Sequence, residues 1–301
     1  MLVNAAISTF EIYLLSERRL ARNTIASYLG DLRQLEAYLC KKKIVRLAEL
    51  DTPFLRGYLK YLRSKLHIGP CSMSRKVSTL KSWFKFLAQR YNLEDLAAIL
   101  VFPKLQQRLP RFLTENEVEI LLDYAAKDET CLGIRNRVML SLLYVTGMRI
   151  SELTELRVHS IHFDEGLISV HGKGDKQRMV PVLPELLSLI KNEYLNKAYL
   201  ELAGPGATDY LFPSNSDKMR GMSRQNFWLV LKKLAINAGI KQKLSPHLLR
   251  HSLATHLLKK GANLRLLQVL LGHERLATVQ IYTHVDMDYL RGVYDTKHHR
   301  S

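Results

Sequence analysis

Thirteen residues in the middle of the chain, Val101 to Leu113, place the strongest constraint on its fold. Pro103 and Pro110 flank Lys104, Gln106, Gln107 and Arg108, and no apolar period runs through them. Proline biases its predecessor toward extended backbone, so the stretch reads as a linker. The 301 residues then read as two cores, about what their length suggests. We assign residues 1–102 to a helical domain, 103–113 to the linker and 114–301 to a second domain with a C-terminal tail.

On the N-terminal side the apolar spacing is helical four times. Ile7, Phe10 and Leu14 mark the first helix, and Tyr28, Leu32, Leu35 and Leu39 the second, behind Asn23 as cap. The third starts at Asp51 or Thr52, with Pro53 in its first turn, and carries Leu55, Tyr58, Leu59 and Leu62. Val77, Leu80, Phe84 and Leu87 mark the fourth. Arg56, Lys60, Arg63, Arg75, Lys76, Lys81 and Lys85 fall on the polar faces of the last two helices, where cations contact phosphate without reading sequence.

Beyond the linker, Thr114 and Glu117 form a Thr-x-x-Glu capping box ahead of Val118, Ile120, Leu121 and Leu122. Helices are expected around residues 115–124 and 136–145, then a strand pattern from His159 to Val182, then further helices. Within the strands, Asp164-Glu165-Gly166 and Gly172-Lys173-Gly174-Asp175 read as turns of a small antiparallel meander. The fold class is therefore mainly α with a small antiparallel sheet, an α+β arrangement.

Charge narrows the partner. Lys and Arg total 45 against 28 Asp and Glu, a net charge of +17, and residues 1–113 hold 20 of the cations against 8 acids. Solvated surfaces usually mix signs, so such an excess points to a polyanion, with nucleic acid ahead of an anionic membrane surface. The longest nearly uncharged apolar run, Val138 to Met148, is far short of the ~20 residues a spanning helix needs, and predicts a buried core helix instead. Glu11 interrupts the N-terminal apolar stretch, which also lacks a basic flank, so no cleaved signal peptide is expected. Cys40, Cys71 and Cys131 are an odd, scattered trio, consistent with reduced thiols and a cytoplasmic protein.

Three segments can carry chemistry. In Thr146-Gly147-Met148-Arg149-Ile150-Ser151-Glu152-Leu153, Gly147 ends a helix and throws Arg149 into a tight turn, where Arg149 can also simply pair with Glu152 or Glu155. In Ser245-Pro246-His247-Leu248-Leu249-Arg250, a serine cap and first-turn proline place His247 and Arg250 three apart on one helix face. That spacing at a helix N-terminus suits a tetrahedral anion, phosphate being the natural one. Leu270-Leu271-Gly272-His273-Glu274 follows, and nine residues past His273 stands Tyr282, either a packed aromatic or a nucleophile.

Together these motifs resemble the tyrosine recombinases, and among them the Xer site-specific recombinases of bacteria. The resemblance covers nearly the whole chain: the basic helical N-terminal domain, the Thr-Gly-Met-Arg-Ile-Ser-Glu-Leu segment, the Gly-Lys-Gly turn, the His-Leu-Leu-Arg-His helix, Leu-Gly-His and Tyr-Thr-His. It implies Arg149 and Arg250 as the catalytic arginines, Lys173 as the turn lysine, His247 and His273 as the catalytic histidines and Tyr282 as the nucleophile. Lys176 and Arg178 are nearby cations that can hold backbone phosphate instead of Lys173, and Tyr289 and Tyr294 are fallback nucleophiles.

Physical chemistry fits those roles. Two guanidiniums can hold the nonbridging oxygens of a scissile phosphate and stabilise the charge of its transition state, replacing a metal. Tyr282 supplies the attacking oxygen, and Lys173, crowded by arginines, can donate a proton to the leaving oxygen. No phosphate-binding loop for ATP and no zinc signature appears in the sequence, so no cofactor and indifference to EDTA are expected.

The resemblance also implies a two-domain DNA clamp that assembles as a tetramer on duplex DNA with paired inverted half-sites. The tetramer would include a paralogous recombinase, and a septal DNA translocase would regulate it. The tail residues Met287, Leu290 and Val293 would dock on a neighbour. Dimer resolution at chromosome segregation is the expected role, with a compact mobile-element integrase, a type IB topoisomerase and a catalytically silent DNA-binding protein as the rivals.

Overall fold

The computed structural model describes residues 1–18, 20, 22–103, 112–172, 177–204, 209–263, 267, 270 and 271. The chain divides into two compact units, Met1–Leu109 and Pro110–Ser301.

The N-terminal unit consists of α1 (Val3–Ser16), α2 (Arg22–Lys41), α3 (Thr52–Ser64) and α4 (Pro70–Tyr91). Its core is built from the residues whose spacing marked the helices: Ile7, Phe10 and Leu14 of α1, Leu32, Leu35 and Leu39 of α2, Leu55, Tyr58 and Leu62 of α3, and Val77, Leu80, Phe84 and Leu87 of α4. Trp83 is fully buried at their centre and donates its indole N–H to the Ala6 carbonyl at 3.4 Å. The start of α3 is fixed locally, because the Asp51 carboxylate accepts the Phe54 N–H at 2.7 Å and Pro53 follows in the first turn.

Helix α2 begins two residues earlier than expected. Asn23 lies inside its first turn, where its carbonyl accepts the Ser27 hydroxyl at 2.8 Å, rather than capping it. Short polar residues cluster around helix starts, so such a signal locates the boundary only to within a residue or two.

A larger correction concerns Lys76. Its place on α4 suggested a phosphate-facing cation, but the side chain is buried, 2.7 Å from Asp31 of α2 and hydrogen-bonded to Gln34. Asp31 is itself buried and also accepts from Arg75 and from the Thr79 hydroxyl at 3.1 Å. A carboxylate taken out of water needs its charge matched, and the α4 face turned toward α2 provides the match.

The C-terminal unit opens with α5 (Glu115–Ala126) and α6 (Cys131–Thr146). The capping box at α5 is present, with Thr114 accepting the Glu117 N–H at 3.2 Å and Glu117 accepting the Thr114 N–H at 2.8 Å. Helix α6 is buried nearly all round, from Val138 to Thr146 with the exception of Ser141, as its apolar run predicts. After α7 (Ile150–Thr154) the meander forms: β1 (Ile161–His162), β2 (Leu167–His171) and β3 (Gln177–Pro181), antiparallel in sequence order. Ile168 pairs with Val180 and Val170 with Arg178, so alternate residues of β2 and β3 face the core. Gly166, at φ 69°, makes the first turn in the left-handed region open to glycine.

Helix α8 (Pro184–Ser188) continues through a π-helical stretch, Leu189–Tyr199, into α9 (Leu200–Ala203); α10 (Arg224–Asn237) and α11 (Pro246–Lys259) complete the described elements. Among the described residues no helix is long and apolar enough to cross a membrane.

Candidate active site

Gly147 organises the first segment. It ends α6 at φ 57°, and a Cβ built there would lie 2.6 Å from Leu271 Cδ2 and 2.9 Å from Leu253 Cδ2. The positive φ strains any side chain there, and the tips of the two leucines must shift to admit one. Replacing Gly147 with Ala should therefore destabilise the unit by about 1–3 kcal/mol, lowering its melting temperature by roughly 2–12 °C. An unchanged thermal transition would contradict this.

The turn at Gly147 delivers Arg149 to the position before α7, where its backbone N–H donates to Glu152 Oε2 and its Nη1 to Glu152 Oε1, both at 2.8 Å. Of the two carboxylates the sequence offered, Glu152 is the partner the geometry chooses. Glu152 is buried and also takes a fork from Arg178 of β3, with Nη1 at 3.1 Å and Nη2 at 2.7 Å. Burial alone would raise the Glu152 carboxyl, but the Arg178 and Arg149 bonds outweigh it and hold the group below the usual carboxylate range.

The sequence offers Arg178 as a cation for backbone phosphate. It is instead buried, with its Nε donating to the Leu270 carbonyl at 3.3 Å. The cause is register, since pairing with Val170 turns Arg178 inward, where a fixed carboxylate is waiting.

Helix α11 brings the second segment. The Ser245 hydroxyl accepts the Leu248 N–H at 3.2 Å and Pro246 opens the helix, as its sequence predicts. His247 is exposed in the first turn, and Arg250, one turn on, is half-buried. Arg250 donates through Nη1 to the Gly147 carbonyl at 2.6 Å and through Nη2 to the Leu271 carbonyl. A guanidinium has five N–H groups, so these two bonds fix its plane and leave others for a ligand. Burial, followed by repulsion from Arg149, lowers the Arg250 pKa to about 10, against a partial offset from Glu152. Arg250 is still a cation at neutral pH.

Arg149, Arg178 and Arg250 thus gather around one carboxylate, Glu152. Such a cluster carries excess positive charge in a partly desolvated place, which an anion would relieve. In the sequence Glu152 stands out only as a mate for Arg149. Its link to Arg178 spans 26 residues and depends on strand register, so no local signal announced it.

Lys173, His273 and Tyr282 lie outside the described residues, as do Lys176, Tyr289, Tyr294 and the tail positions Met287, Leu290 and Val293. Of the surface cations, Arg56, Lys60, Arg63 and Lys85 are exposed. Arg75 is exposed but bonded to Asp31 and to the Ser27 carbonyl. Lys81 donates to the Ala98 carbonyl at 2.9 Å and sits 5.2 Å from the Phe102 ring.

Comparison with known proteins agrees with this layout. The Phage integrase family matches residues 111–288, and the phage integrase N-terminal SAM-like domain matches residues 7–91. The tyrosine recombinase XerD of Vibrio cholerae is 40% identical over 287 residues, covering 95% of this chain and 93% of its own. XerD of Yersinia pestis is 39% identical over 304 residues, covering 99% and 98%. Among solved structures, the XerH site-specific recombinase bound to its difH substrate superposes with a TM-score of 0.69 at 26% identity, covering 95% of this chain and 83% of that one. Two matched domains and a near-full-length likeness to XerD proteins lead to one assignment: the chain belongs to the tyrosine recombinase (phage integrase) family, in its Xer subgroup of site-specific DNA strand transferases.

Proposed function

We propose that this chain cleaves and rejoins duplex DNA through a 3′-phosphotyrosyl intermediate at Tyr282, with neither metal nor nucleotide, and that it resolves chromosome dimers. The observation that carries the reading is the trio of arginines around the single carboxylate of Glu152. Arg149 and Arg250 hold the nonbridging oxygens of the scissile phosphate, and Arg178 holds Glu152 rather than DNA. Fixed guanidiniums stabilise the developing charge without reorganising, which is the work a metal would otherwise do.

In the forward step the Tyr282 oxygen attacks phosphorus, the bond to the 5′-oxygen breaks, and Lys173 gives that oxygen a proton. His247 and His273 handle the proton of the tyrosine hydroxyl. The reverse step uses the 5′-hydroxyl of a partner strand, so bond energy is kept in the phosphotyrosine and no ATP is needed. Two inverted half-sites bind two protomers, and two such sites form a tetramer that includes a paralogous recombinase. A septal DNA translocase regulates it. The near-full-length likeness to XerD proteins supports the chromosomal role.

A plasmid carrying two Xer-type sites tests the reading. With the paralogous partner present, recombinant circles should form only when both sites are present. Relaxation of a supercoiled plasmid lacking sites, without recombinants, would instead indicate a topoisomerase.

A further inference from the structure

Outside the arginine cluster, one buried imidazole joins three parts of the C-terminal unit. His256 of α11 is 4% exposed. Its Nε2 lies 2.8 Å from the Leu113 carbonyl and its Nδ1 lies 2.8 Å from the Tyr144 hydroxyl. A carbonyl only accepts, so its partner assigns the proton to Nε2, and Nδ1 of the neutral ring accepts from Tyr144. Burial pushes the imidazole below its ordinary value, against the Leu113 carbonyl and Glu115, which favour the cation, and with Lys259 and Lys260, which oppose it.

The segment held this way is Phe112–Leu113, just ahead of α5. One turn back on α11, the Ser252 hydroxyl accepts the Leu113 N–H at 2.8 Å, and Gln242 donates to the Phe112 carbonyl at 3.2 Å. The Phe112 ring stands edge to face with His256 at 6.2 Å, and the Lys259 ammonium lies 4.7 Å from its centre. Both backbone groups of Leu113 are therefore bonded by side chains of one helix, the helix that carries His247 and Arg250. Tyr144 is on α6, three residues before Gly147, whose carbonyl fixes Arg250 and whose turn delivers Arg149.

We propose that His256 is a positioning residue for strand transfer, setting α11 against α6 through Tyr144 and against the Phe112–Leu113 segment through the Leu113 carbonyl. It touches neither DNA nor the reacting atoms. It sets the separation of Arg149 from Arg250, and it transmits the placement of the segment ahead of α5 to that pair. The proposal rests on the strand-transfer reading above.

The test is single-turnover cleavage of a nicked suicide duplex at saturating protein, comparing wild type, His256→Gln, Tyr144→Phe and the double variant. Glutamine keeps a donor for the Leu113 carbonyl but has no acceptor atom at the place of Nδ1 on the ring, so the bond from Tyr144 is lost. Each single variant should keep the wild-type DNA affinity and adduct amplitude while its rate constant falls by about tenfold to a hundredfold, as misplacement by a fraction of an ångström to 1 Å would cause. The double variant should fall no further than the singles, because both break one link. Wild-type rate constants in the singles would overturn the proposal, and so would losses of amplitude and melting temperature at an unchanged rate constant, which mark a structural role only. Absence of adduct from wild type would instead overturn the strand-transfer reading itself.

Discussion

Replacing Arg250 with Lys should lower the rate of covalent adduct formation by about 10²- to 10³-fold while leaving duplex affinity within about threefold. The guanidinium bridges two carbonyls, those of Gly147 and Leu271, and still presents N–H groups outward. Lysine is a point charge on a flexible stem and cannot hold that bridge while facing a phosphate. Burial and the repulsion from Arg149 already disfavour a cation here, lowering the pKa to about 10. Single-turnover cleavage and fluorescence anisotropy separate the two effects. Equal loss of binding and rate would show Arg250 acting as a general DNA contact.

Glu152→Gln should be costly in a different way. The carboxylate balances Arg149 and Arg178, and the amide keeps its shape but not its charge. Removing one partner of a buried ion pair costs about 3–5 kcal/mol, which for a unit of this size lowers the melting temperature by roughly 6–20 °C. Adduct formation should fall as well, because Arg149 loses one of the two oxygens that aim it. Acid reaches the same state without mutation. The folded carboxyl is held low, so its contribution to stability is present above the unfolded glutamate pKa and lost as pH falls through the lower folded value. The variant should therefore show a flatter stability profile below pH ~4.3. A melting temperature within 2 °C of wild type at neutral pH, or an unchanged acid limb, would contradict this account of Glu152.

What could be seen in the sequence was what is encoded locally. Ser245-Pro246 starts α11 and so places His247 and Arg250 on one face, Gly147 ends α6 with backbone only glycine adopts cheaply, and Thr114 with Glu117 caps α5. The meander was legible because alternation and turn glycines recur at strand spacing. What failed needed distant partners. Lys76 looks like any basic residue on an amphipathic helix until Asp31, 45 positions away, is packed against it. Arg178 looks solvated until strand register turns it toward Glu152. The tie from His256 to Tyr144 and Leu113 spans 112 and 143 positions, beyond the reach of any periodicity. The π-helical path of Leu189–Tyr199 has no spacing signal of its own, because its apolar residues fit an ordinary helix as well.

The central claim is that Tyr282 becomes covalently joined to DNA without the help of a metal. A denaturing gel of wild type and Tyr282→Phe with a nicked suicide duplex carrying a Xer-type site, run after incubation in EDTA with the partner recombinase, tests it most directly. The account predicts a protein–DNA adduct from wild type and none from the variant, with both proteins binding the duplex alike. An adduct of equal yield from Tyr282→Phe, or none from wild type despite tight binding, would contradict it.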